Sequence, residues 1–237
     1  DGATSKTVCA ALKAKGAGRI SVLSRKKAPF YQDIADFYQD TDYIINTTSV
    51  GMYPHTDCSL ISLSGFKRLK GVFDVIYNPL RTKLLLEAEE RGLVYSDGLP
   101  MLIAQAFYAD EIFFKRKNAV EKLEAIISEI RRDKENIILI GMPGVGKTTL
   151  GKALAKVLKR PFYDSDVLLR EKIGDLSAYI KEEGETKFRQ EETAVLKTLG
   201  KETGMVIATG GGIITRQENF YHLRENGRIY QLDKALS

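Results

Sequence analysis

With 237 residues, 43% of them apolar, the chain has material for one or two ordinary folded domains with sizeable cores. It holds no run of about 18 apolar residues, and its opening Asp1-Gly2-Ala3-Thr4 has neither a basic region nor an apolar signal core, so membrane insertion and secretion are not indicated and a cytoplasmic location is expected. The net charge of +5 and pI near 9.0 come from basic residues scattered among acidic ones, as in residues 81–91 and 182–192, which suits small anionic ligands better than nucleic acid.

Cys9, Cys58, His55 and His222 stand apart in sequence, so any metal is expected to be Mg²⁺ arriving with a nucleotide. The first segment predicts a helix, with Val8, Ala11 and Leu12 on one face and Gly16-Ala17-Gly18 as its stop. Residues 19–24, Arg19-Ile20-Ser21-Val22-Leu23-Ser24, then predict a strand. A helix entered through glycine and followed by a strand is the later part of a dinucleotide-binding β-α-β unit. Were a strand and a glycine to precede Asp1, Gly2 and Ser5 would complete G-x-G-x-x-S, an incomplete match with serine at the third glycine position. NAD sites place a carboxylate at the end of the second strand; here stand Ser24, Arg25, Lys26 and Lys27. A guanidinium pairs with the 2′-phosphate that a carboxylate would repel, so NADP is expected over NAD, with a solvated basic turn as the alternative.

Further strands are predicted at 42–46, 71–77 and 93–96, with a turn-rich stretch at 47–54. Leu84, Leu85, Ala88 and Arg91 mark one helix, and Asp97-Gly98-Leu99-Pro100 starts another with Leu102, Ala106, Ala109 and Phe113 on a common face. This alternation implies a doubly wound parallel sheet with ligands at the C-terminal strand ends.

Residues 1 to about 117 resemble the NADP-binding half of shikimate dehydrogenase. The resemblance is carried by Gly2-Ala3-Thr4-Ser5, Ser24-Arg25-Lys26, Ile45-Asn46-Thr47-Thr48-Ser49-Val50-Gly51-Met52-Tyr53-Pro54, Asp74-Val75-Ile76-Tyr77-Asn78-Pro79, and Asp97-Gly98-Leu99-Pro100-Met101-Leu102 with Gln105. It implies that Gly2, Ala3, Thr4, Ser5, Ser24, Arg25, Lys26, Asn46, Thr47, Thr48, Met52, Gly98 and Met101 bind NADP, and that Tyr77 and Gln105 meet the substrate, shikimate or 3-dehydroshikimate. Without the resemblance, Tyr77 and Gln105 would read as a core aromatic and an ordinary helix polar residue. Members of that family carry a catalytic Lys and Asp on an N-terminal substrate domain that has no counterpart here. The chain is therefore expected to bind NADP without oxidising shikimate, since hydride transfer from an alcohol needs a group to take its proton.

Residues 115–134 predict an amphipathic helix through Val120, Leu123, Ile127 and Ile130, either closing the first part or acting as a spacer, with a domain limit at 133/134. The apolar run Ile137-Ile138-Leu139-Ile140 then enters Gly141-Met142-Pro143-Gly144-Val145-Gly146-Lys147-Thr148-Thr149. A helix is expected next, with Leu150, Ala153, Leu154, Val157 and Leu158 on its apolar face. Strand, G-x-x-x-x-G-K-[ST] and helix together make a phosphate-binding loop for ATP. Its glycines let backbone N–H groups face an anion, Lys147 supplies a point charge to the outer phosphates, and Thr148 supplies a hydroxyl to Mg²⁺. Asp164 and Asp166, one residue apart behind a short strand, can serve Mg²⁺ and an acceptor hydroxyl, or can simply cap the helix at Val167-Leu168-Leu169. Gly210-Gly211-Gly212 after the apolar strand 205–209 lets backbone approach a ligand, and residues 228–232 predict a last strand.

Residues 136–237 resemble roughly the first two-thirds of shikimate kinase. The loop, Phe162-Tyr163-Asp164-Ser165-Asp166, Gly184-Glu185-Thr186-Lys187-Phe188-Arg189 and the glycine triplet carry this likeness in order and spacing. Together the two resemblances imply a Rossmann-like NADP-binding domain, residues 1–133, followed by a P-loop nucleoside-monophosphate-kinase-like α/β domain, residues 134–237. The kinase likeness implies that Asp164 assists Mg²⁺, Asp166 orients or deprotonates the shikimate 3-hydroxyl, Arg189 holds the shikimate carboxylate, and Gly210, Gly211 and Gly212 line the ring. The chain is expected to be an internal fragment of a fused dehydrogenase and kinase, with the kinase lid and its catalytic arginine, a later arginine for the shikimate carboxylate and the adenine-binding loop beyond Ser237. Such a catalytic arginine is worth ~10³–10⁵ in rate, so little kinase turnover is expected from this chain. The alternatives are a non-catalytic nucleotide-binding piece and a kinase for another small molecule.

Overall fold

Three short runs rich in β-branched and aromatic residues build the first sheet. In the computed structural model, which describes residues 2–24, 34 and 38–233, these runs are β1 (Tyr43–Asn46), β2 (Gly71–Asp74) and β3 (Val94–Ser96). They pair in parallel in the order β1-β2-β3, with Asn46 opposite Asp74. Contacts divide the chain into two units, Asp1–Leu102 and Ile103–Ser237.

In the first unit, α1 (Ala3–Ala14) starts behind Gly2, whose N-cap position offers no side-chain hydrogen bond. The helix α2 (Lys83–Glu90) starts behind Thr82, whose hydroxyl accepts from the Leu85 amide at 3.4 Å. It buries Leu84, Leu85, Leu86 and Ala88, and its apolar face packs with Leu63, Phe66, Leu69 and Val72. Leu63 and Phe66 belong to a loop, so their backbone needs partners. Arg91 donates to the carbonyls of both, and Glu87 accepts from the Leu63 amide at 2.7 Å.

The strand expected at 19–24 is absent. A strand exists by hydrogen bonding to a neighbour, and among the described residues nothing pairs with the outer edge of β1, so composition alone does not make one there. Arg25 and Lys26 lie outside the described residues.

The helix α3 (Leu99–Phe114) forms where expected, but on a different face. Leu99 and Phe107 are buried, whereas Leu102 and Phe113 of the expected face are 39% and 81% exposed. Because α3 is apolar almost all round, spacing has no power to choose its buried side. In α4 (Val120–Lys134), Leu123, Ile127 and Ile130 are half-buried while Val120 is exposed. Contacts group α4 with the second unit, where the Arg160 guanidinium donates to the Arg132 and Glu135 carbonyls at its C-terminal end.

The second sheet is wholly parallel, in the order β5-β6-β4-β7. Its strands are β4 (Asn136–Gly141), β5 (Phe162–Asp164), β6 (Val206–Ala208) and β7 (Gly227–Leu232). The unbroken apolar run of β4 suits a strand paired on both edges and covered on both faces. Around it lie α5 (Lys147–Leu158), α6 (Ser165–Ile173), α7 (Leu176–Glu183), α8 (Glu185–Lys201) and α9 (Gln217–Arg224). The core joins Ile138 and Ile207 to Leu196 and Leu199 of α8, Leu169 of α6 and Leu223 of α9.

The expected face of α5 is corrected by the structure. Leu150, Val157 and Leu158 are exposed, and the helix instead buries Lys147, Gly151 and Ala155. A methyl group on Gly151 would sit 2.5 Å from the Phe162 ring, so small residues let α5 approach β5 and β4. Two other glycines meet backbone. A methyl group on Gly98 would fall 1.9 Å from the Val75 carbonyl oxygen, and one on Gly200 of α8 would fall 2.0 Å from that of His222. Gly98→Ala and Gly200→Ala should each lower Tm by at least about 5 °C in a thermal melt, because overpacking against backbone costs about 1–3 kcal/mol or more. Gly18→Ala, with nothing within 4 Å, should leave Tm within about 1 °C.

Candidate active site

The loop after β4 owes its shape to Gly141, Gly144 and Gly146, whose φ values of 144°, 79° and 100° L side chains rarely adopt. Gly146 is the N-cap of α5 and offers no side-chain hydrogen bond, so the first-turn amides of α5 face the loop without a protein cap. Lys147 is buried, and its Nζ donates to the carbonyls of Gly141 at 2.7 Å and Met142 at 3.0 Å. The ammonium thus sits across the loop, with Met142, Pro143, Gly144 and Thr149 exposed around it.

Thr148 Oγ1 donates to Asp164 Oδ2 at 2.7 Å, while Asp164 Oδ1 accepts from the Asp166 amide at 3.1 Å. Asp164 therefore caps α6, and its other oxygen faces the loop hydroxyl. Two adjacent oxygen donors of this kind are the chemistry Mg²⁺ takes. Asp166 is half-buried, and its carboxyl is pushed above the ordinary carboxylate range by burial first and by the neighbouring Asp164 charge second, against the pull of Arg170 and Lys147.

The glycine triplet follows β6, with Gly211–Thr215 forming a 3-10 turn. Each glycine abuts a different functional element. A methyl group on Gly210 would lie 2.2 Å from Asp166 Oδ1, one on Gly211 3.0 Å from Pro143 of the loop, and one on Gly212 1.9 Å from Arg189 Nη1. The structure so brings Asp166, the phosphate-binding loop and Arg189 around one strip of bare backbone. Arg189 is held on α8 by Glu192 at 3.0 Å and Glu185 at 3.3 Å, with its guanidinium over the Phe188 ring. It lines an open cleft of 290 Å³ together with Glu185, Thr186, Thr215 and Arg216.

Two supporting residues escaped the sequence reading. Ser165 Oγ accepts from the Gly210 amide at 2.9 Å, although it reads only as the spacer in Asp-Ser-Asp. Glu192 is buried against Arg189, and the i,i+3 spacing on one helix was the available signal.

In the first unit, the C-terminal ends of β1 and β2 converge on Asp74. Its carboxylate accepts from Asn46 Nδ2 at 3.1 Å, the Ile76 amide at 3.0 Å and Thr82 Oγ1 at 2.8 Å. Asn46 Oδ1 in turn accepts from the Thr48 amide at 2.9 Å and Thr48 Oγ1 at 2.8 Å, fixing the turn that carries Thr47 and leads to Met52. Burial raises the Asp74 carboxyl above its usual range despite these donors, which act in the opposite direction. Met52, Tyr77 and Met101 are exposed, and Gly98 donates its amide to the Ile76 carbonyl at 2.8 Å. Gly2, Ala3, Thr4 and Ser5 head α1, and Ser24 is half-buried outside any strand; Gln105, which contacts group with the second unit, is an exposed residue of α3.

Asp166 gives a direct check on these electrostatics. Carboxyl-carbon NMR titration should show it protonating above the usual carboxylate range, and Asp164→Asn should bring that value down by removing the like charge. For a carboxyl raised in the folded state, the stability contribution is complete below the unfolded value and is lost as pH rises through the folded one. The wild type should therefore lose slightly more stability than Asp166→Asn across that window in melts at graded pH.

Residues 143–236 match the family model described as shikimate kinase. A shikimate kinase of Legionella pneumophila (strain Corby) is 45% identical over 102 residues, 43% of this chain and 58% of that protein. The chain thus spans under two-thirds of this curated relative. Among solved structures, shikimate dehydrogenase 1 from Peptoclostridium difficile superposes with a TM-score of 0.50 at 30% identity, covering 55% of this chain and 52% of that one. A chorismate mutase/shikimate 5-dehydrogenase fusion protein from Clostridium acetobutylicum gives a TM-score of 0.50 at 28% identity, covering 55% and 51%. Residues 143–236 thus match the shikimate kinase family model, and the chain is also similar in structure to two shikimate dehydrogenases.

Proposed function

We propose that the second unit binds ATP and shikimate for transfer of the γ-phosphoryl group to the shikimate 3-hydroxyl. Residues 1–133 would bind NADP as the cofactor half of an enzyme that interconverts 3-dehydroshikimate and shikimate, without carrying the hydride transfer by themselves, and residues 134–237 would form the kinase part. One observation carries the kinase reading: Gly210, Gly211 and Gly212 present bare backbone between Asp166, Pro143 and Arg189. An acceptor lying along that strip has a carboxylate-binding guanidinium at one end and a carboxylate beside the phosphate loop at the other.

The geometry supports the following residue roles. The amides of 141–149 and the head of α5 hold phosphate oxygens, and Lys147 exchanges its contacts with the Gly141 and Met142 carbonyls for the outer phosphates. Thr148 and Asp164 would hold Mg²⁺, which supplies charge neutralisation at the phosphate oxygens when bound. Asp166, with its raised proton affinity, accepts the proton of the attacking hydroxyl. Arg189, pre-aligned by Glu185 and Glu192, takes the shikimate carboxylate in a bidentate contact.

In the first unit, the uncapped head of α1 at Gly2 suits a pyrophosphate, with Ala3, Thr4 and Ser5 in its first turn. Ser24, Arg25 and Lys26 are proposed for the 2′-phosphate and adjacent ribose. The turn fixed by Asp74 and Asn46, with Thr47, Thr48 and Met52, is proposed to border the nicotinamide beside Gly98 and Met101, and Tyr77 and Gln105 to meet the substrate. Among the described residues no helix is long and apolar enough to cross a membrane. A cytoplasmic location and small-molecule partners complete the reading.

Isothermal titration separates these assignments. The chain should bind ATP–Mg²⁺, and Lys147→Met should weaken that binding by about 10–100-fold, the worth of a charged phosphate contact. NADPH should bind more tightly than NADH, and Arg25→Ala should narrow the difference. Unchanged ATP affinity in Lys147→Met would refute the assignment of the loop, and equal affinity for NADPH and NADH would refute that of the basic turn.

A further inference from the structure

The pairing register of β6 ends at Ala208, opposite Leu139 of β4 on one side and Asp164 of β5 on the other. The next two residues are held from these opposite sides. Thr209 turns to β4, its amide and its hydroxyl both donating to the Leu139 carbonyl at 3.1 Å. Gly210 turns the other way, where β5 has already ended at Asp164. Its amide is buried, so it needs a partner that no strand supplies. Ser165, the first residue of α6 and 4% exposed, supplies one: its Oγ accepts from the Gly210 amide at 2.9 Å.

This bond ties the bare strip to the two aspartates that flank Ser165 in sequence. Asp164 accepts from the Thr148 hydroxyl with one oxygen and caps α6 with the other. Asp166, in the first turn of α6, abuts Gly210 so closely that a methyl group there would run into its Oδ1. The strip therefore cannot draw away from Asp166 without stretching the Ser165 contact. Packing alone does not call for the hydroxyl, since alanine has nearly the same volume and would fill the same space. What alanine lacks is the hydrogen-bonding oxygen, and a buried amide left without one is penalised until the backbone moves to find another partner.

We propose that Ser165 is a positioning residue for the phosphoryl acceptor: by holding the Gly210 amide it fixes the separation between the bare strip and Asp166, so that a hydroxyl of a ring lying along Gly210–Gly212 meets the Asp166 carboxylate. This rests on the kinase reading given above. It adds the residue that joins the proton-accepting side chain to the backbone on which the ring rests. The nucleotide side is held by other contacts, those of Lys147 and Thr148, so Ser165 acts on the binding of the acceptor and not on that of ATP.

The test is titration of the full chain with shikimate and with ATP–Mg²⁺, beside hydrogen exchange at the Gly210 amide. In Ser165→Ala that amide should exchange faster and shikimate affinity should fall about tenfold, as expected for one buried hydrogen bond, while ATP–Mg²⁺ affinity stays unchanged. Ser165→Thr keeps the hydroxyl and should recover both slow exchange and shikimate affinity. Ser165→Cys, of nearly the same shape but a weaker hydrogen-bond acceptor, repeats the comparison should the alanine variant not fold. Faster Gly210 exchange with shikimate binding equal to that of the wild type would overturn the proposal, since the strip would be released without consequence for the ring. Equal losses for shikimate and ATP–Mg²⁺ would overturn it too, by showing a general structural effect. If the wild type binds ATP–Mg²⁺ but no shikimate, the kinase reading of the acceptor fails and takes this inference with it.

Discussion

Three adjacent missing side chains organise the second unit. At Gly210, Gly211 and Gly212 the chain passes so close to Asp166, Pro143 and Arg189 that a single methyl group at any of them intrudes on one functional element. The approach is possible because β6 is paired on both edges, to β5 and β4, which fixes the height at which the strand ends. Thr209 adds a buried bond from its hydroxyl to the Leu139 carbonyl at 3.1 Å, and Ser165 receives the Gly210 amide. The geometry of the candidate site is thus set by backbone hydrogen bonds of the sheet, which side-chain fluctuation does not blur.

The first unit reaches a comparable result by other means. There the hub is a buried carboxylate, Asp74, whose oxygens gather Asn46 from the neighbouring strand, the Ile76 amide and the Thr82 hydroxyl. Thr82 also caps α2, so strand end, turn and helix head share one set of hydrogen bonds. Burial opposes the charge on Asp74, and its donors offset only part of that cost. Removing one donor from such a network disturbs every member, which couples the turn at 47–52 to the core under α2.

Legibility in the sequence varied with the physics behind each element. The phosphate loop was readable because anion binding demands glycine at fixed spacing before a helix head, a constraint local in sequence. The face of α5 was misread because Leu150, Val157 and Leu158 outweigh Gly151 in any count of apolar residues, yet close packing on Phe162 needs the residue with no side chain. Residues 19–24 have strand composition without a pairing partner among the described residues, and pairing is not a local property. The role of Thr82 lies in a contact at a strand end, visible only once the chain is folded, whereas the i,i+3 spacing of Arg189 and Glu192 was a signal already in the sequence. The triplet was legible as a place of close approach, but what it approaches is three separate segments, 143, 166 and 189, that only the fold assembles.

The central claim is that bare backbone at the triplet positions an acceptor between the phosphate loop and Arg189. Gly212→Ala tests it most directly, since the added methyl group meets the flexible end of Arg189 rather than backbone and so spares the fold. Titrated with shikimate and with ATP–Mg²⁺, this variant should lose most of its shikimate affinity and keep its nucleotide affinity. Shikimate binding equal to that of the wild type would contradict the account.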